Sequence, residues 1–245
     1  MSKLKLCIGA VCTALTITGC SQEEIISSVN ANVQNVSDND NGNVISETVN
    51  ESERLIELAK YVILDESDDN PNATSRKWNK EIKISLNGNY TSEDATVVDS
   101  FIETLKSLNT FELNIERVFS EEESNIDIWF GTFDELTSER PDFTPSATED
   151  ISGVSRVFFS SSTQLITRSN VFINTDTSRI STIKHEILHS LGLGHSKDSS
   201  SVLFTPSVSE DLSSDDVFVI EALYSEELEA NLNEEQIEDV LLTLI

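Results

Sequence analysis

The chain has 245 residues, enough for one substantial domain with flanking segments or for two small domains. Hydrophobic residues make up 38% and charged ones 24%, which supports a packed core and excludes a collagen-like or wholly disordered chain. Acids outnumber bases 44 to 16, and a surface with a net charge of −28 repels phosphate backbones, which excludes nucleic acid and anionic membrane surfaces as partners. Cysteine occurs only at positions 7, 12 and 20, so the body of the chain has neither a disulfide framework nor a thiolate metal site.

Lys3 and Lys5 open the chain, and Leu6 to Ile17 is an apolar run that ends in Ile17-Thr18-Gly19-Cys20. The run is shorter than the roughly 18–20 residues that a spanning helix needs. The closing tetrapeptide resembles the lipobox of bacterial lipoproteins. The resemblance implies cleavage before Cys20, acylation of its thiol, and a domain held outside the cytoplasm at an outer membrane or cell surface. On this reading residues 1–19 are a signal peptide. Residues 20–50, rich in Asn, Ser and Asp and without an aromatic residue, are a flexible tether.

Residues 51–66 place Leu55, Ile56, Leu58, Ala59, Val62 and Ile63 on one helical face, and residues 68–75 break that pattern. Residues 51–75 are therefore read as an N-terminal helix and linker. From Trp78 to Leu86 alternate residues are apolar apart from Lys80, which predicts a strand ended by Asn87-Gly88-Asn89. Thr91 and Asp94 predict the start of a helix that runs to about Asn109. Strands are predicted over Phe111–Phe119, Ile126–Gly131, Val154–Ser160 and Leu165–Asn174, with a surface loop over residues 134–152. Ser178–Leu191 is a predicted helix ended by Gly192, and residues 194–212 are irregular. Ser213–Tyr224 and Glu226 to about Leu242 are the last two predicted helices. The order predicts an α+β fold, with a domain over residues 76–225 followed by a C-terminal helix over 226–245.

All three histidines fall within eleven residues, from His185 to His195. His185 and His189, four apart on a helix, project from one face about a turn apart and can reach a single zinc ion. Glu186 lies beside the first of them, where its carboxylate can reach a metal-bound water without ligating the metal. Gly192 permits the sharp turn that brings His195 back as a third ligand. Three imidazoles plus water is a catalytic zinc arrangement, whereas structural sites are closed by protein ligands.

The segment His185-Glu186-Ile187-Leu188-His189-Ser190-Leu191-Gly192-Leu193-Gly194-His195 resembles the HExxHxxGxxH signature of metzincin metallopeptidases at every specified position. Ser196 and Asp198 after the third histidine, and Leu212 to Tyr224 beyond, are similar to the matrixin branch. The likeness covers about residues 76–225. It implies a mixed twisted sheet with an active-site helix and C-terminal helices. It also implies a Zn2+ cofactor held by His185, His189 and His195, and Glu186 as the catalytic base. Metzincins carry a methionine in a tight turn under the metal, and here Leu203 takes that place, since the only Met is Met1. Matrixins often bind calcium, but the acidic runs here, Glu121 to Glu123 and Asp215-Asp216, lack a supporting ligand spacing and read as solvated faces or helix starts. A matrixin-type cysteine latch is excluded by the cysteine positions.

The expected function is thus that of a monomeric zinc metalloendopeptidase acting on protein or peptide substrates, lipid-anchored through Cys20. Two alternatives share the same metal ligands: a zinc-binding module without catalysis, and a zinc hydrolase of a non-peptide substrate.

Overall fold

The computed structural model describes residues 12–16, 51–65, 72–140, 151–177, 180–205 and 209–245. Cys20 and the tether lie outside the described residues. The strands are β1 (Cys12–Thr16), β2 (Ile82–Gly88), β3 (Ile115–Arg117), β4 (Ile126–Gly131), β5 (Gly153–Ser160) and β6 (Ile166–Asn174). The helices are α1 (Glu51–Leu64), α2 (Ser92–Lys106), α3 (Phe133–Glu139), α4 (Ile180–Ser190), α5 (Ser214–Leu223) and α6 (Glu234–Leu244). None of the described helices is long and apolar enough to cross a membrane.

The fold is mixed α/β. Five strands form one sheet in the order β5-β6-β4-β2-β3, with β3, β2, β4 and β6 parallel and β5 antiparallel to β6. β1 adds antiparallel to the free edge of β5. Alternation along the strands sends Ile82, Ile84, Ile126, Ile128, Phe130, Val171 and Ile173 to one face, where they join the buried apolar side chains of α2 and α4. Truncating a fully buried ring there, such as Phe130, costs about 3–5 kcal/mol. The other face is narrower, with Trp129, Phe172 and Val154 packed beside Leu136 of α3 and Ile151.

Helix starts follow their side chains. Thr91 and Asp94 of α2 satisfy each other's backbone N–H groups, as do Ser213 and Asp216 at α5. Three expectations are corrected. α3 stands inside the stretch read as a surface loop. Thr132 and Glu135 form a capping box, and Leu136 buries its side chain completely, so one short amphipathic turn outweighs the acids and prolines around it. β3 is shorter than Phe111–Phe119. It pairs only with Ile82–Ile84 at the sheet edge, and Phe119 is 89% exposed, so no burial extends the ladder. The last helix starts at Glu234, capped by Asn233, and not at Glu226. Ser75 pairs its backbone with Asn231 and Leu232, and the Lys77 ammonium donates to the carbonyls of Ser225 and Leu228, holding that segment out of a helix.

α1 and α6 share the hydrophobic cluster of the sheet through Ile56, Ala59, Ile63, Ile237 and Leu241. Arg54 of α1 grips Asp215 of α5 with two hydrogen bonds of 2.6 and 3.0 Å. Lys60, almost fully buried, faces Glu57, Glu234 and Glu238 at 2.7–3.1 Å. α1 is therefore tied at one end to α5 and along its length to α6.

Candidate metal centre

α4 lies on β5 and β6 with Ile183, Ile187 and Leu188 in the core. Small side chains let it approach closely: the hydroxyls of Ser155, Ser169 and Ser190 meet at 3.0–3.2 Å between helix and sheet, and Ser190 donates to the Glu186 carbonyl. The apolar stripe of the helix fixes which way its other side faces, and on that side stand His185 and His189, each 2% exposed.

The helix ends at Gly192, whose φ is 97°. A β-carbon there would overlap the Arg76 carbonyl oxygen, so both backbone conformation and space require glycine. The turn returns the chain so that His195 faces the other two rings. Ring centroids are 4.4 Å apart for His185–His189, 4.7 Å for His189–His195 and 5.4 Å for His185–His195. One nitrogen of each lies within 4.8 Å of the others, a group that can hold a metal ion.

The outer nitrogens decide what the inner ones are. His185 Nδ1 lies 2.7 Å from the Val202 carbonyl, and His189 Nδ1 lies 2.7 Å from the Leu193 carbonyl. A carbonyl only accepts, so both Nδ1 atoms carry the proton. Both Nε2 atoms are then bare lone pairs in the neutral rings, yet they face each other at 2.8 Å. Two lone pairs at that distance repel unless a cation lies between them. Burial holds His185 down to about 4, helped by the charge of His195, and holds His189 well below the ordinary histidine value. A divalent metal suits neutral imidazoles oriented by carbonyl partners.

Glu186 is buried beside His185, and its Oε2 has no hydrogen-bond partner among the described residues. Burial pushes its carboxyl up to about 8. Its Cγ and Oε1 lie 2.8 and 2.9 Å from where a β-carbon at Gly153 would stand, so the first residue of β5 must be glycine for Glu186 to keep this place.

Leu203 is buried in the hydrophobic core, in a turn that touches the histidines through its neighbour's carbonyl at Val202. The turn is held from inside: Leu203 N–H donates to Ser201 Oγ at 2.9 Å, and Ser196 N–H donates to the Leu203 carbonyl at 2.9 Å. Asp216 braces it from α5, accepting from Val202 N–H at 3.1 Å and from the Ser201 hydroxyl while capping its own helix. Ser213 and Asp216 are legible as a helix start, but the reach of Asp216 to the turn is a tertiary contact. Tyr224 is buried and donates to the Leu191 carbonyl at 2.8 Å, supporting the end of α4.

A family described as a protein of unknown function, DUF2927, matches this chain over residues 56–243. The chain belongs to that family. Its span takes in most of α1 and nearly all of α6, together with the whole sheet from β2 to β6 and the three histidines. No curated protein matches the chain.

Proposed function

We propose that the chain is a zinc-dependent metalloendopeptidase with a metzincin-like fold. The observation that carries this reading is the pair of Nε2 atoms facing each other, fixed by carbonyls on both Nδ1 atoms, with a carboxylate oxygen beside them that has no partner among the described residues. Zinc is the ion proposed for His185, His189 and His195, where it would acidify a water and polarise a substrate carbonyl. Glu186 is not needed as a ligand and is left to move a proton: it accepts one at a carboxylate oxygen as the water attacks and returns it to the leaving amine.

A peptide substrate is favoured by the edge of β5. That edge runs from Gly153, against Glu186, and it accepts an extended segment antiparallel: Cys12 opposes Ser160 and Thr16 opposes Arg156. Main-chain pairing of this kind binds a peptide with little regard to its side chains. The chain is further proposed to be exported and anchored through Cys20.

Zinc analysis paired with casein digestion tests the reading. One equivalent of zinc and cleavage abolished by a chelator support it. Zinc without cleavage would leave a binding module or a hydrolase of another substrate, and no zinc would end the proposal. Cys20→Ala should shift the protein from the membrane fraction to the soluble one, and equal retention of mutant and wild type would refute the anchor.

A further inference from the structure

His195 is the odd member of the set. It sits on a loop, outside the helix that aims the other two, and the loop leans on a segment far away in sequence. The Val62 carbonyl, in the last turn of α1, accepts from Gly194 N–H at 2.8 Å. Three residues further on, Asp65 takes the left-handed backbone conformation, with φ 53°, and is only 7% exposed. Its carboxylate is packed on the loop so closely that a β-carbon at Gly194 would overlap Asp65 Oδ1. Glycine immediately before His195 is what lets that carboxylate in.

The rest of α1 fixes where Asp65 stands. Arg54 is clamped to Asp215, and Lys60 to Glu234 and Glu238, so the helix cannot slide along its axis.

We infer that Asp65 is a positioning residue for the metal centre: its carboxylate orients His195 as the third ligand, as the Val202 and Leu193 carbonyls orient His185 and His189. The inference rests on the proposed metal site. Partners of this kind typically contribute 10- to 100-fold to metal affinity. The left-handed backbone at Asp65 is that of a residue closing the C-terminus of α1, and it turns the chain so that the carboxylate lies on the loop.

The test is zinc affinity, measured by competition with a chromophoric chelator, for the wild type, Asp65→Asn, Asp65→Gly, His195→Ala and the double variant Asp65→Asn/His195→Ala. Asn and Gly both tolerate a positive φ, and Asn keeps the volume while removing the charge. Both single variants at Asp65 should bind zinc 10- to 100-fold more weakly, while the metal-free Asp65→Asn protein melts within a few degrees of wild type. In the His195→Ala background, Asp65→Asn should cost less than threefold more, because the residue through which Asp65 acts is gone. Zinc affinity within threefold of wild type in Asp65→Asn would overturn the role of Asp65 and leave the site standing. So would an equal loss with and without His195, which would mean that Asp65 only packs the loop. A wild-type chain that takes up no zinc overturns the site and this role together.

Discussion

The two halves of the centre are built on different physical terms. The helical half, His185, Glu186 and His189, is placed by a period of 3.6 residues and by an apolar stripe that seats α4 on the sheet. The loop half, Gly192 to His195, has no repeating hydrogen-bond pattern of its own. It is held by Arg76, Val62 and Asp65, all from segments more than a hundred residues earlier in the chain. A local rule therefore positions two of the histidines, and tertiary packing positions the third. Damage to the halves should accordingly look different: loss of chemistry in one, loss of geometry in the other.

The largest effects should come from the helical half. His189→Ala should reduce bound zinc from one equivalent to none at micromolar metal, read by elemental analysis. Retention of a full equivalent would mean that the helix is not the core of the site. Glu186→Ala should keep the zinc and lower the rate of peptide cleavage about 10²–10⁴-fold, the usual worth of a general base. A wild-type rate in that variant would assign the proton transfer elsewhere.

The loop half should fail through the backbone. Gly192→Ala puts a β-carbon onto the Arg76 carbonyl at a φ of 97°. The strain alone is about 1–3 kcal/mol, and relieving the overlap must move either the loop or the segment that carries Arg76. Thermal melting should fall and zinc affinity with it. An unchanged melting temperature would show that the loop is more compliant than its contacts suggest.

A smaller effect sharpens the cost of burying the helical half. In the metal-free protein, burial raises the Glu186 carboxyl from its ordinary value to about 8. As pH rises from about 4.5 through 8, the unfolded chain releases a proton that the folded carboxyl retains, so this residue withdraws stability over that window. Gln cannot ionise. Metal-free Glu186→Gln should therefore gain stability over wild type as pH is raised from 5 to 8, measured by urea unfolding. A gain that is flat with pH would show that the carboxyl is already solvated and ionised when folded.

The smallest effect is expected at the turn that joins the halves. Leu203 is buried, and a Leu-to-Met exchange of similar volume usually costs under about 1.5 kcal/mol. Leu203→Met should leave zinc affinity within a few-fold of wild type and preserve cleavage. A large loss in either would mean that this turn depends on the branched shape of leucine.

Much of this molecule is legible in short windows of sequence. The parity of Ile82, Ile84 and Leu86 marks a strand, and Thr91 with Asp94 marks a helix start, because each is a contact between residues close in sequence. The capping signal of Thr132 and Glu135 was equally local, but it was masked by the prolines and acids that follow. The false extension of α6 back to Glu226 has another cause. Residues 226–232 carry helical periodicity, yet Ser75 and Lys77 claim their backbone groups from about 150 residues away.

The same division runs through the site. By itself the sequence determined that His185 and His189 share a helix face, that Glu186 stands beside them, and that Gly192 allows the chain to turn. These follow from helix geometry and from the freedom of a residue without a side chain. Only the tertiary structure decided which nitrogen of each ring points inward, because that choice belongs to the Val202 and Leu193 carbonyls. It also decided that Asp216 braces the Val202 turn and that Asp65 stands against the loop of His195. Contacts of this kind leave no periodic trace in sequence, since a hydrogen bond between distant segments fixes their final positions and not the spacing of the residues that make it.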